Sequence, residues 1–426
     1  MKRNLGNIVI IAVVVLTILI WIIFPPVREG VQNYERYYAG EMLGSLMIVL
    51  MSCSLFISTR PKWAERYFGG LDRMYMTHRR TSTSAFLLMF VHVLTVPITI
   101  MNLRLGNYLG MIAFLGLVAI VLPTLSPRIP FLSKLAGKDY EDWKKLHRFV
   151  GIFFIFGYVH SITVNAPTAK VAINWTTIFV YIGIASYLYT EVLGRFLKKH
   201  VPYTVEAVKH PNSSTTEVTL RPKKGPIRHR HPGQFMFIRF PGMDKKLNES
   251  HPFTISSAPH EDVLRLTIKA SGDFTRHLFE NLKEGTQAII DGAYGMFDYK
   301  LGGEKQIWLA GGIGVTPFLS FLRDLKDEMK HDVDFYYTVR HREEAVFVDE
   351  IEAAAAKNPR LRAHVRASST DGSLSIEEII KNAGGNVSDR HVYMCGPFPM
   401  MQAFEQKFIE AGVPQANIHY EEFNFR

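Results

Sequence analysis

Through residues 1–200 long apolar stretches alternate with short charged ones, and beyond them the apolar runs become short. Ile8–Phe24 is free of charge and follows Lys2 and Arg3; further apolar stretches lie near 41–58, 84–101, 108–125, 148–165 and 174–194. A hydrocarbon core of about 30 Å, crossed at about 1.5 Å per residue, takes roughly 20 residues. The pattern predicts six transmembrane helices in residues 1–200. A signal peptide would suit the first stretch, but the chain runs on into Pro25, Pro26 and Val27 with no small-residue cleavage site, so a retained helix is expected.

From Tyr203 to about Lys300 the apolar runs shorten and alternate, as in Val218–Leu220, Phe235–Phe240 and Leu264–Ile268, with turn residues between them. That pattern predicts a small antiparallel β-barrel over 201–302. From Gln306 onward strands alternate with helices: Gln306–Ala310, then Phe318–Met329, then Val333–Val339, with His391–Met394 later. This predicts an α/β domain over 303–426.

Composition sharpens the division. The chain of 426 residues is 47% hydrophobic and 21% charged, which excludes general disorder. Residues 1–200 hold 21 Lys and Arg against 9 Asp and Glu, whereas 201–426 hold 28 against 30. The positive charge therefore belongs to the apolar part, which reads as a lipid-bilayer domain and not as a nucleic-acid binder. Arg60, Lys62, Arg66, Arg73, Arg79 and Arg80 occupy 59–80, and Arg128, Lys134, Lys138, Lys144 and Lys145 occupy 126–145. The opposite loops hold Arg28, Arg36, Arg104 and Lys170, so with Lys2 and Arg3 the tally is thirteen against four. Both termini and the second half are expected in the cytoplasm. Two cysteines, Cys53 and Cys395, exclude a disulfide framework, a cysteine zinc site and an iron–sulfur cluster.

Four histidines stand in two of the apolar segments: His78 and His92, fourteen residues apart, and His147 and His160, thirteen apart. Fourteen residues rise about 21 Å along a helix, so the pairs His78–His147 and His92–His160 would lie near opposite membrane faces. Imidazole is a common axial haem ligand, and two facing helices suffice to hold a haem between two of them. Neutral histidines bonded to a neighbouring helix are the alternative. Thirteen residues miss the same helix face by about 140°, a difference that tilt or a kink near Gly151 or Gly157 would absorb.

In the barrel stands His251-Pro252-Phe253-Thr254-Ile255-Ser256-Ser257, followed by Lys269 and by Gly272 and Thr275. Hydroxyls, backbone amides and a cation near a strand end suit a flavin and its pyrophosphate, although each motif alone is also ordinary strand-and-turn chemistry. After strand Gln306–Ala310 comes Gly311-Gly312-Ile313-Gly314-Val315-Thr316-Pro317, where glycines let the backbone approach a nucleotide pyrophosphate. The next strand ends in Arg340, His341 and Arg342. Arg there suits a 2′-phosphate, which favours NADPH over NADH; a solvated charge run is the other reading. Cys395-Gly396-Pro397 closes a later strand, where the thiol would lie beside a nicotinamide or serve as a small buried residue.

Taken together, Leu71-Asp72-Arg73 with His78, the fourteen and thirteen spacings, the His251 to Thr254 motif, Gly311 to Pro317 and Cys395 to Pro397 resemble the NADPH oxidase and ferric reductase superfamily. The resemblance runs from about residue 35 to the C-terminus and is nearest to a minimal prokaryotic NADPH oxidase homologue of the bacterial plasma membrane. It implies a six-helix di-haem domain joined to a ferredoxin–NADP reductase-like module. His78 and His147 would ligate an inner b-type haem and His92 and His160 an outer one. Residues 251–257 would contact FAD and Thr275 its phosphates. Gly311 to Pro317, Arg340, Gly396 and Pro397 would serve NADPH. Cys395 and Phe425 are the candidate catalytic residues, Phe425 stacking over the flavin with Phe423 as its rival.

The implied activity is a relay from NADPH through FAD and both haems to oxygen, giving superoxide, with no obligate regulatory subunit. Ferric chelate or another extracytoplasmic acceptor would use the same relay. Animal oxidases carry a His one turn after the outer ligand and an Arg in the second span, where this chain has Val96 and Glu41. A transporter or proton channel with relaying histidines is the reading from a different class.

Overall fold

The computed structural model describes residues 4–28, 30–97, 103–125, 140–164, 169–197, 201–325 and 329–421. Phe423, Phe425 and the basic residues Lys2, Arg3, Arg128, Lys134 and Lys138 lie outside them. The chain divides into two compact units, 1–198 and 199–426.

The first unit is helical: α1 (Leu5–Ile23), α2 (Tyr34–Ser58), α3 (Lys62–Phe68), α4 (Leu71–Thr95), α5 (Leu105–Leu125), α6 (Tyr140–His147), α7 (Val150–Thr163) and α8 (Lys170–Leu188). A π-turn, Tyr189–Leu193, links α8 to the short α9 (Gly194–Leu197). Among the described residues, five helical segments are long and apolar enough to cross a membrane: Leu5–Ile23, Tyr34–Ser58, Leu105–Thr124, Trp143–Thr163 and Lys170–Leu193. The surface pattern is that of a bilayer protein, since large apolar side chains such as Ile11, Leu94, Leu115 and Ile162 point outward. Small or hydroxylated residues, among them Gly40, Ser52, Ala172, Thr176 and Gly183, are buried between helices. Small residues let helix backbones approach where water supplies no driving force.

Helix α4 is 25 residues long but carries Asp72, Arg73, Arg79 and Arg80 in its first half. The stretch 59–80, expected as a loop, is thus α3 and the start of α4. Backbone hydrogen bonding carries a helix through charged residues that a hydropathy window excludes. The same helix stops at Thr95, short of the expected residue 101, because Val96 is extended (φ −66°, ψ 141°) before Pro97.

The second unit has two lobes. Strands β1 (Val201–Asn212), β2 (Thr215–Pro222), β3 (Phe235–Arg239), β4 (His251–Thr254), β5 (Leu264–Lys269) and β6 (Gln287–Tyr294) form one antiparallel sheet, ordered β4-β3-β6-β1-β2-β5. A bridge from Ile255 to Leu266 brings the end of β4 onto β5 and curls the sheet into a barrel. Helix α10 (Asp273–Asn281) covers one end through Phe274 and Leu278.

In the other lobe β7 (Lys305–Gly311), β8 (Asp332–Val339), β9 (Leu361–Ala367), β10 (His391–Cys395) and β11 (Ile418–Glu421) form a parallel sheet ordered β11-β10-β7-β8-β9. Helices α11 (Thr316–Asp324), α12 (Val348–Lys357), α13 (Ser368–Asp371), α14 (Ile376–Asn382) and α15 (Phe398–Glu410) connect the strands. Apolar clusters on both faces of the sheet explain why its strands are near-continuous runs of large apolar residues. The chain leaves β7 toward β8 on one side, and β10 lies on the other. The crevice at such a reversal, beyond the strands' carboxyl ends, is where open α/β sheets bind ligands.

Candidate functional site

In the helical unit α4 supplies His78 and His92, α6 ends on His147, and α7 carries His160. The ring centroids of His78 and His147 are 6.4 Å apart with planes at 77°, and those of His92 and His160 are 6.3 Å apart at 86°. An imidazole nitrogen binds a transition metal at about 2 Å, so two imidazoles on opposite sides of one ion have centroids roughly 6 Å apart. Both pairs fit that span. The thirteen-residue spacing is absorbed by a break at Arg148 and Phe149, between α6 and α7, whereas Gly151 and Gly157 lie inside α7. Arg148 anchors the break through a 2.6 Å bond from its Nε to Glu191 in the π-turn after α8.

Two of the four imidazoles have a fixed tautomer: His92 Nδ1 donates to the Gly40 carbonyl at 2.9 Å and His160 Nδ1 to that of Gly106 at 2.7 Å, whereas His78 Nδ1 meets both the hydroxyl and the carbonyl of Ser54, at 2.8 and 3.0 Å. A carbonyl only accepts, so in His92 and His160 Nδ1 holds the proton and the Nε2 lone pair is left for a metal. His147 Nδ1 is buried with no hydrogen-bond partner among the described residues. The His92–His160 pair is also cradled by glycine: a Cβ on Gly110 would stand 2.7 Å from His160 Nδ1, and one on Gly44 would stand 3.7 Å from His92 Cε1. Gly40-x-x-x-Gly44 and Gly106-x-x-x-Gly110 are close-packing signals legible in the sequence, and they were not among the expected site residues.

In the barrel lobe the structure draws residues 251–257 into one ledge. His251 lies against Phe274 of α10 with ring centroids 3.8 Å apart, and Phe253 stacks on the same ring at 6.1 Å. Pro252 faces Phe237 of β3. Thr254 Oγ1 is buried and has no hydrogen-bond partner among the described residues, so this ledge presents an unsatisfied hydroxyl, as a flavin site would. Ile255, Ser256 and Ser257 are buried, the last two held by Arg265. Thr275 turns its hydroxyl inward, accepting from Ser271 and Gly272 amides at 3.0 and 2.9 Å at the start of α10. Lys269 pairs at 2.9 Å with Glu344 of the other lobe, and the ammonium's hydrogen bond holds that carboxyl below its usual range.

At the carboxyl ends of β7 and β10, the turn 311–315 meets the Cys395–Pro397 turn backbone to backbone. A Cβ on Gly314 would stand 2.2 Å from the Cys395 carbonyl oxygen, and one on Gly396 would stand 3.0 Å from Gly311 N. Gly312 takes a left-handed φ of 53°. Val315 and Pro317 are buried and seat the turn, while Thr316 Oγ1 donates to the Ile313 carbonyl at 3.1 Å. Arg340 is exposed just beyond β8. Cys395 is fully buried opposite Glu421 in register, and burial first, then the nearby carboxylate, pushes its thiol well above the usual range. Glu421, buried beside Cys395, was missed because nothing in its local sequence marks it.

Three family descriptions match this chain: "Ferric reductase like transmembrane component" over 43–158, "FAD-binding domain" over 200–299, and "Oxidoreductase NAD-binding domain" over 308–406. The chain has the architecture of the NADPH oxidase and ferric reductase superfamily. It is 25% identical over 240 residues to flavohemoprotein A of Dictyostelium discoideum, covering 52% of this chain and 59% of that one. With the flavohemoprotein of Bacillus subtilis (strain 168) it shares 24% over 258 residues, 57% of this chain and 64% of the relative. The chain thus spans less than two thirds of the length of these curated relatives. Among solved structures, a flavohemoglobin from Malassezia yamatoensis aligns with a TM-score of 0.51 at 16% identity, covering 90% of this chain and 95% of that one, a likeness of fold alone. The matches place a ferric-reductase-like membrane component ahead of an FAD-binding domain and an oxidoreductase NAD-binding domain.

Proposed function

We propose that the protein takes hydride from cytoplasmic NADPH and delivers single electrons to oxygen across a bacterial plasma membrane, giving superoxide. The supporting observation is the pair of histidine couples, 6.4 and 6.3 Å apart, in a chain that also carries FAD- and NAD(P)-binding domains. FAD, when bound, would supply the change from hydride to single electrons, and His78 with His147 and His92 with His160 would hold two b-type haems that supply one-electron transfer. Overall, NADPH and two oxygen molecules become NADP⁺, two superoxide ions and one proton. The chain's own groups bind and orient: Gly311 to Thr316 admit the pyrophosphate, Arg340 meets the 2′-phosphate, and Thr254 offers its hydroxyl to the flavin. The Gly40 and Gly106 carbonyls keep Nε2 of His92 and His160 free of protons. Domain limits of 1–200, 201–302 and 303–426 follow from this division of labour.

A second acceptor, ferric chelate or an extracytoplasmic electron carrier, is favoured by one observation. Val96 packs on Gly40 beside His92, 2.4 Å from where a Cβ would be, and puts no polar group there. The deciding experiment follows NADPH oxidation by purified protein supplied with FAD, using cytochrome c reduction with and without superoxide dismutase. Suppression by the dismutase establishes the oxidase; oxidation that waits for ferric chelate establishes the reductase. A preparation without a Soret band leaves the proton-relay reading in possession. Arg340→Ala is expected to raise KM for NADPH about tenfold, the order of one lost charged contact, and to leave NADH unchanged.

A further inference from the structure

We infer that helix α11 sets the distance between nicotinamide and flavin, with Ser320 and Arg323 as its positioning residues. The inference rests on residues 251–257 holding FAD and on the Gly311 to Pro317 turn holding the nucleotide phosphates.

Helix α11 starts at that turn, with Pro317 in its first turn. Four residues after Thr316, Ser320 Oγ donates to the Ser257 carbonyl at 2.9 Å; three further on, Arg323 Nη1 donates to the Ser256 carbonyl at 3.0 Å. Both bonds end on the main chain of the flavin ledge and not on its side chains. At about 1.5 Å per residue, Thr316 and Arg323 are roughly 10 Å apart along the axis, so one short rigid rod touches both cofactor sites.

The remaining nitrogens of Arg323 hold that rod in both lobes. Nε and Nη2 form a fork on Glu350 of α12 at 2.7 and 2.8 Å, and Nη2 also reaches Glu217 of β2 at 3.3 Å. The Arg323 side chain is 8% exposed. A buried guanidinium forked onto a carboxylate resists rotation, which a lysine in its place would not. On the barrel side, Arg230 Nη1 donates to the same Ser257 carbonyl at 3.3 Å, so the ledge is gripped from both lobes.

Hydride transfer needs reacting atoms within about 3.5 Å, and a misplacement of about 1 Å costs on the order of a hundredfold. Loosening the α11 grip on Ser256 and Ser257 should therefore slow hydride transfer while leaving each cofactor bound. Ser320→Ala removes a neutral bond and leaves the Arg230 bond to Ser257 in place. Arg323→Met, paired with Glu217→Gln to spare a buried carboxylate, removes the fork.

The test uses the full chain in detergent, loaded with FAD. Four quantities are read: FAD retained, NADP⁺ affinity by titration, Tm, and the anaerobic single-turnover rate of flavin bleaching at saturating NADPH. The long-wavelength charge-transfer absorbance of reduced flavin with NADP⁺ is a fifth, activity-independent readout of stacking. For Ser320→Ala the bleaching rate should fall about 3- to 10-fold, and for the Arg323→Met pair about 10- to 100-fold. The charge-transfer absorbance should weaken in step while FAD retention and NADP⁺ affinity hold; Arg323→Lys should not restore the rate. Unchanged bleaching and charge-transfer absorbance in both variants overturn the inference. A rate loss that merely follows lost FAD or lowered Tm overturns it as well, since that is a structural role. Wild-type protein that binds neither FAD nor NADP⁺ removes the underlying site reading, and the inference with it.

Discussion

The helical unit and the reductase unit place their functional groups by opposite means. In the first, the groups are side chains, His78, His92, His147 and His160, and the backbone serves them through the carbonyls of Gly40, Ser54 and Gly106. In the second, the candidate nucleotide site is made of turns, Gly311 to Thr316 and Cys395 to Pro397, which meet backbone to backbone. Glycine marks both places for different reasons. At Gly110 it makes room for an imidazole ring, and at Gly314 for another stretch of backbone. A flexible side chain yields to an added methyl more readily than a main-chain carbonyl does, and the substitutions that test the contrast rank accordingly.

Gly314→Ala should have the largest effect. Its Cβ would stand 2.2 Å from the Cys395 carbonyl oxygen, and neither strand end yields easily. A destabilisation of about 4 kcal/mol or more is expected, with NADP⁺ binding lost, both measurable by thermal unfolding and titration. Retained NADP⁺ affinity would mean that the two turns do not act as one site.

Gly110→Ala comes next, with its Cβ 2.7 Å from His160 Nδ1. The haem-to-chain ratio, read as the pyridine haemochromogen, should fall from about two to about one, as expected when one bis-histidine site is lost. Gly44→Ala, with 3.7 Å to His92, should keep both haems. If the two variants behave alike, the glycine cradle is not what seats the His92–His160 pair.

Thr254→Val keeps the shape of the ledge and deletes its unpartnered hydroxyl. The Kd for FAD should rise about 5- to 10-fold, the worth of one hydrogen bond of about 1–1.5 kcal/mol. No change in flavin-fluorescence titration would show that the hydroxyl does not meet FAD.

The smallest effect is on pH dependence. An unfolded cysteine titrates at about pH 8.5, and burial raises Cys395 well above its ordinary value. The folded state therefore favours the protonated thiol, and its contribution is fully present below the unfolded pKa and is lost as pH rises through the folded one. Tm should decline less steeply in Cys395→Ala between about pH 7 and 9.5 than in the native chain. Parallel slopes would remove the buried thiol from the pH response.

Much of this was legible along the chain because it is periodic or contiguous. Apolar length marks membrane helices, alternation marks the barrel, and strand–glycine–helix order marks the nucleotide lobe. Legibility ended where partners are distant in sequence. The start of α4 was misjudged because charged residues conceal a helix that hydrogen bonding continues through, and its end because Val96 turns extended before Pro97. The thirteen-residue spacing left tilt or a kink near Gly151 or Gly157 open, and both glycines lie inside α7. The break lies at Arg148 and Phe149, held by Glu191, 43 residues away.

Residue type and spacing were enough to specify the architecture, the four histidines and the flavin and nucleotide motifs, since each of these depends on neighbours within a few turns or one strand. The orientation of those groups depended on long-range contacts: Gly106 on His160 across 54 residues, Ser320 on Ser257 across 63, Arg323 on Glu217 across 106. A hydrogen bond is directional and spans about 3 Å, so it exists only once folding has brought both partners together. No local pattern in the chain encodes that meeting.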